Sequence, residues 1–155
     1  MHTDAGRGVS TVTRETTSTL EFPYSRTLGP VVGAFFAGLR EQRLLAARTG
    51  SGRVLFPPLE YDPETGEALA PELIEVGPLG TVQSWTWVSE PTPKHPLDHP
   101  FAFALITPDG ADTAMVHAVD AGSAAAMSTG MAVRPRWRAE PRNRVDDLEC
   151  WEPAP

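Results

Sequence analysis

The stretch Leu79–Val119 limits what this chain can fold into more than any other part of it. Leu79-Gly-Thr-Val-Gln-Ser-Trp-Thr-Trp-Val88 and Phe101-Ala-Phe-Ala-Leu-Ile106 are separated by a Pro/His-rich loop. A turn at Pro108-Asp109-Gly110 then leads to Thr113-Ala-Met-Val-His-Ala-Val119. All three segments are rich in β-branched and aromatic residues and are bounded by turn formers, the pattern of a strand meander. Simple alternation puts Thr81, Gln83, Trp85 and Trp87 on one face of the first strand. Val82, Ser84, Thr86 and Val88 then occupy the other. In the second strand Phe101, Phe103 and Leu105 alternate with Ala102, Ala104 and Ile106, so both faces are apolar. A strand apolar on both faces predicts a small closed barrel with something packed outside it.

The rest of the chain extends this pattern. Gly29-Pro30 opens a predicted helix, since proline suits the first helical position. Val31, Val32, Phe35, Phe36 and Leu39 follow at helical spacing, and the helix is expected to run to about Ala47. Its stripe must bury against the protein's own barrel or against a partner subunit. Two Gly-bearing turns flank Arg53-Val-Leu-Phe56 and Pro57-Pro58, and Asp62-Pro63-Glu64-Thr65-Gly66 is a strong turn signal. Ala70–Val76 reads as a short strand. Ala121–Gly130 reads as a short helix capped by Asp120, Met131–Arg138 as a fourth barrel strand and Arg144–Trp151 as a fifth.

Five strands with a short helix between the third and fourth is the order of an OB-fold barrel. An immunoglobulin-like sandwich would need about seven strands. The predicted organisation is a tail over 1–19, a helix region over 20–47, a ribbon-like element over 48–69 and an OB-fold domain over 70–152. Leu20–Tyr24 is expected to be an extended lead-in.

Charge narrows the partners. The 155 residues carry a net charge of −7 and a single lysine, Lys94. That argues against nucleic acid, whose binding needs Lys and Arg to displace counterions. Arg134, Arg136, Arg138, Arg142 and Arg144 cluster late in the chain. They suit either an anionic ligand or a charged, solvated strand edge. No apolar run reaches the roughly 20 residues of a membrane span, and no apolar signal core opens the chain, so a cytoplasmic location is the expectation. The lone Cys150 cannot form an internal disulfide or hold zinc alone, and reads as a buried structural thiol rather than a reactive one.

Several short stretches together resemble a known family. They are Phe56-Pro57-Pro58, Gly80-Thr81-Val82-Gln83-Ser84-Trp85-Thr86 and Gly130-Met131-Ala132-Val133-Arg134, in that order after an amphipathic helix. Over residues 22–152 the chain is similar to the zinc-ribbon/OB-fold acyl-CoA-associated proteins. These are small partners of thiolases and of thiolase-like lipid-transfer-protein aldolases. The resemblance implies a rubredoxin-like ribbon ahead of the barrel. In the family that ribbon carries two Cys-x-x-Cys-Gly knuckles. Aligned on Pro57-Pro58, Arg48 and Ser51 stand at the first knuckle here, and Asp62 and Thr65 at the second. None is a thiol, so the expected ribbon is metal-free.

By that resemblance the chain is expected to be a non-catalytic accessory subunit acting with a thiolase-like partner in a heterotetramer. The chemistry would be retro-aldol or thiolytic carbon–carbon cleavage of acyl-CoA thioesters, such as steroid side-chain shortening. A stand-alone acyl-CoA-binding protein or a role in polyketide or fatty-acyl biosynthesis is the alternative. Candidate acyl-CoA or substrate contacts are Arg53, Phe56, Trp85, Trp87, Arg134 and Arg136. Candidate partner contacts are Val32, Phe35, Phe36, Leu39, Pro57 and Pro58. The tryptophans suit a barrel core as well as a ligand wall. A stand-alone enzyme would have to use His95-Pro-Leu-Asp-His99, which reads equally as a surface loop with incidental histidines. His117 reads as a core residue. A single-strand nucleic-acid binder would stack bases on Trp85, Trp87 and Phe103, against the acidic balance.

Overall fold

The structure is a computed structural model and describes residues 17–19 and 27–155. The expected tail and lead-in therefore fall largely outside the described residues. Helix α1 (Pro30–Arg40) comes first. Strands β1 (Leu44–Arg48), β2 (Val54–Leu55) and β3 (Ile74–Val76) follow and form an antiparallel sheet in the order β2-β1-β3. Strands β4 (Gly80–Val88), β5 (Phe101–Pro108), β6 (Met115–Val119), β7 (Ala132–Trp137) and β8 (Leu148–Pro153) close a barrel in the order β4-β5-β6-β8-β7. This is a mainly β chain with an OB-fold barrel and one α-helix among the described residues.

The helix is shorter than its sequence pattern predicts. Gln42 adopts a left-handed conformation at φ 61°. Its amide donates to the Leu39 carbonyl at 3.0 Å and the Arg43 amide to that of Gly38 at 2.9 Å. This is a Schellman termination, with glutamine where glycine is usual. Leu44, Leu45, Ala46 and Ala47 then form a central strand, all buried, rather than the last helical turns. Because β1 pairs with both β2 and β3, this sheet crosses the boundaries expected at 47/48 and 69/70.

The sheet gives the helix its cover. Val31, Phe35 and Leu39 are buried, and Phe35 meets Phe56 edge-on with ring centroids 5.8 Å apart. Val32 and Phe36 are half-buried. The apolar stripe is thus met by the chain itself, chiefly through β1 and Phe56, and also by the 3₁₀ turn at Val145–Asp147 beside the last barrel strand. The helix start is capped from a distance: the Val32 amide donates to Glu60 Oε1 at 2.9 Å. That satisfies one of the donors a helix leaves unpaired at its N-terminus.

A β-bulge between Val82 and Ser84 corrects the facing read from the sequence. It shifts the alternation by one residue. Val82, Trp85 and Trp87 therefore share the inner face with Ala102, Ala104 and Ile106. Phe101 and Phe103 lie outside the barrel, where Leu97 and His95 of the 89–100 loop cover them. The barrel closes where β4 meets β7, at Gly80–Val133 and Thr81–Ala132. A Cβ at Gly80 would sit 2.9 Å from Ile106 Cγ2 and 3.2 Å from the Trp151 ring, so the closure needs glycine.

Two other expectations change. The segment after Asp120 forms a single 3₁₀ turn at Ala124–Ala126, and Asp120 pairs with Arg136 and His99 instead of capping a helix. The last strand begins at Leu148 because Val145–Asp147 is a 3₁₀ turn; the Asp147 carboxylate accepts from the Arg142 and Arg144 amides there.

The three-stranded sheet joins the barrel through side-chain and backbone hydrogen bonds at the turn between β5 and β6. Asp112 Oδ2 accepts from the Val54 amide at 2.8 Å, and the Asp112 amide donates to the Val54 carbonyl at 2.8 Å. Thr113 Oγ1 accepts from the Phe56 amide at 2.7 Å and donates to the Phe56 carbonyl at 2.9 Å. A Thr113→Val variant keeps the shape but leaves both Phe56 backbone groups without these partners. We expect a loss of about 1–3 kcal/mol in urea denaturation, with the barrel's far-ultraviolet signal retained.

Candidate functional site

Two places gather the sequence-derived candidates. The first lies where the three-stranded sheet meets the barrel. Arg53, Leu55, Phe56, Pro57, Leu59, Pro63, Thr113 and Ala114 line a pocket of about 210 Å³. The edge of β2 supplies the floor, the 57–63 loop one wall and the turn before β6 the other. Phe56 is 1% exposed, so it backs the pocket from within the core. Pro57 is half-buried and Pro58 buried. Arg53 forms an ion pair with Glu64 across the rim. Leu59, which lines the pocket, is 44% exposed.

The second is a cleft of about 400 Å³ under the 89–100 loop, lined by residues including His95, Asp98, His99, Arg136 and Glu149. Here the late arginines find partners within the chain. Arg136 reaches Asp120 at 2.9 Å, Glu149 at 2.8 Å and Glu152 at 3.7 Å. Arg134 pairs with Glu152 at 2.7 Å, and Arg138 with Asp146 at 3.2 Å. Burial works against the Arg136 charge, but hydrogen bonds to Asp120 and Glu149 raise its pKa above the ordinary value. Burial would likewise raise that of Asp120; the Arg136 and His99 hydrogen bonds outweigh it and hold the carboxyl below its usual value.

The histidines have separate surroundings. His99 lies 3.1 Å from both Asp98 and Asp120, whose hydrogen bonds raise its pKa. His95 Nδ1 accepts from the Thr92 amide at 2.9 Å. His117 lies on β6 between Met115 and Val119, which pack in the barrel interior. Desolvation lowers its pKa to about 4, and its Nδ1 has no protein partner. His2 falls outside the described residues. Cys150 is buried, and burial pushes its thiol up to about 12, against the pull of Arg136. A thiol at that pKa is no nucleophile near neutral pH.

Trp85 and Trp87 pack, partly buried, against the barrel core and stand apart from the ribbon pocket. The structure thus joins Arg53, Phe56 and Pro57, and separates them from the tryptophans and from Arg134 and Arg136. Sequence reading missed Leu55, Leu59 and Pro63, which are near neighbours of the candidates in sequence, and Thr113 and Ala114, which reach the pocket only through the junction between sheet and barrel. It also missed Asp120 and Glu149 as partners of Arg136, because the pairing of β8 with both β6 and β7 carries no local signal.

The positions of the expected knuckle ligands are engaged in their own turns. Arg48 is exposed, with Nη1 3.5 Å from the Gly52 carbonyl. Ser51 Oγ lies 2.9 Å from Thr49 Oγ1. Buried Asp62 accepts from the Glu64 amide at 2.8 Å, and Thr65 Oγ1 from the Glu67 amide at 3.3 Å. A guanidinium, two hydroxyls and one carboxylate do not fit zinc, which takes thiolate and imidazole in structural sites.

Comparison with known proteins agrees with the barrel. Residues 73–138 match the family described as ChsH2, C-terminal OB-fold domain. A solved structure titled Ltp2-ChsH2(DUF35) aldolase contains a chain similar to this one at 18% identity and TM-score 0.60. The match covers 83% of this chain and 98% of that one. A protein of unknown function from the DUF35 family of Sulfolobus solfataricus matches at 18% identity and TM-score 0.56, over 69% of this chain and 78% of its own. No curated protein matches the sequence. No helix among the described residues is long and apolar enough to cross a membrane.

His117 makes stability depend on pH in a stated direction. Its folded pKa is about 4, against 6.5 for the unfolded group. Its contribution is complete above about pH 6.5 and is lost as pH falls toward 4, by roughly 3 kcal/mol. Denaturant titrations at pH 4 and pH 7 should show a smaller loss on acidification in His117→Phe than in the parent. An equal loss would contradict the assignment.

Proposed function

We propose that this chain is a non-catalytic accessory subunit of a thiolase-like, lipid-transfer-type enzyme acting on acyl-CoA thioesters. The reaction class is retro-aldol or thiolytic carbon–carbon cleavage, of the kind that shortens steroid side chains. The observation that carries this reading is the barrel's match to the ChsH2 C-terminal OB-fold family over residues 73–138. Its support is the overlay on nearly the whole of a chain from an aldolase assembly. The placement of the reactive groups agrees with chemistry that resides in the partner. The thiol is buried and protonated, His117 is enclosed and neutral, and His99 is tied between two carboxylates. In this reading the chain stabilises the partner and adds a wall to its acyl-CoA channel, within a cytoplasmic heterotetramer, and its ribbon holds no zinc.

Co-expression with the thiolase-fold subunit of the same host tests the proposal. The two chains are expected to co-elute in equal stoichiometry by size exclusion with light scattering, and acyl-CoA turnover is expected only from the pair. Turnover by the isolated chain, or its persistence as a monomer beside that subunit, would overturn the reading. Elemental analysis of the purified chain should find well under one zinc per polypeptide. One zinc per chain would refute the metal-free ribbon alone.

A further inference from the structure

The ribbon–barrel pocket has the size and charge of a socket for a single side chain. We propose that it receives one apolar side chain, aromatic or aliphatic, flanked by Lys or Arg on a partner protein. The inference deepens the accessory-subunit reading and rests on it for the identity of that partner.

Volume decides between a side chain and a whole ligand. Small-molecule sites span roughly 300–1,000 Å³, while an apolar cavity of roughly 150 Å³ holds a benzene ring. The pocket, at about 210 Å³, lies near the second figure. Its walls are suited to being an anchor site. Leu55, Phe56, Pro57, Pro63 and Ala114 supply apolar surface, and exposed Leu59 extends it at the mouth. Interface energy concentrates where such an anchor fills a preformed pocket. The Asp112 and Thr113 hydrogen bonds to β2 hold the floor and wall in register before anything binds.

Charge decides what surrounds the anchor. From residue 54 to 93 the chain has seven acidic residues and no Lys or Arg. Four carboxylates, Glu60, Asp62, Glu64 and Asp112, are adjacent in sequence to pocket-lining residues. Arg53 is the single basic residue lining the pocket, and Glu64 pairs with it. Glu60 is turned to the α1 amides and Asp62 is buried, so Asp112 is the exposed carboxylate left beside the pocket, and the formal balance around it is net negative. Such a balance attracts a cationic segment and repels the phosphates of a nucleotide thioester.

Amide shifts of the ¹⁵N-labelled full chain, titrated with Ac-Arg-Phe-Arg-NH₂ and Ac-Glu-Phe-Glu-NH₂, test the socket directly. The cationic peptide is expected to shift Leu55, Leu59, Thr113 and Ala114, and to bind about fivefold more weakly in high salt. The acidic peptide is expected to leave these residues unmoved. Equal response to both peptides, no response to either, or the same shifts with butyryl-CoA would overturn the proposal. In the assembled complex, Ala114→Trp fills the pocket and Leu59→Glu charges its mouth without entering the core. Each should weaken association with the thiolase-fold subunit at least tenfold. If both variants associate as tightly as the parent, the socket is not the docking point and the accessory reading stands. If the parent does not associate at all, the accessory reading fails, and the peptide titration still decides the socket.

Discussion

Two residues in the turn before β6 tie the two halves of this protein together by side-chain and backbone hydrogen bonds. Asp112 and Thr113 hydrogen-bond the free edge of β2 as a neighbouring strand would. An unpaired strand edge invites pairing with another chain, and covering it is a common remedy. Here the cover comes from the barrel's own hairpin, so the ribbon sheet, the helix resting on it and the barrel share one buried cluster. The pocket between them exists because this junction sets the spacing of the 57–63 loop from β6.

The charge distribution follows a similar division. On the barrel side, cations and carboxylates are matched within the chain, with Arg136 between Asp120 and Glu149 and Arg134 on Glu152. An arginine held this way has little left to offer an anionic ligand, since a second anion would have to displace a carboxylate already in place. On the side of the three-stranded sheet the carboxylates outnumber the cations, with Glu60 turned to the α1 amides, Asp62 buried and Glu64 on Arg53. The contrast leaves the three-stranded sheet with more uncompensated charge than the barrel strands that carry the family match.

Strand type and order were legible in the sequence because β-branched and aromatic runs between turn formers carry their own signal. The three central strands and the fourth fell close to their expected positions. The helix end did not, because Gln42 takes a left-handed conformation that only glycine would have advertised. Nor did the inner face of β4. Val82 and the two tryptophans are an odd number of residues apart, and a bulge with no sequence mark brings them to one side. Among the candidate contacts, Arg53, Phe56 and Pro57 were chosen from neighbouring positions and stay together. The Arg136 network and the far wall of the pocket needed pairings between strands distant in sequence.

The sequence by itself determined the alternation that makes a barrel, the acidity that disfavours nucleic acid and the absence of any thiol between residues 44 and 76. These are properties of residue type and short-range spacing. Only the tertiary structure decided which face of β4 turns inward, which carboxylates neutralise the arginines and where an apolar pocket opens beside the ribbon. Those depend on register between strands, and register is set by packing across the whole core rather than by any local stretch of chain.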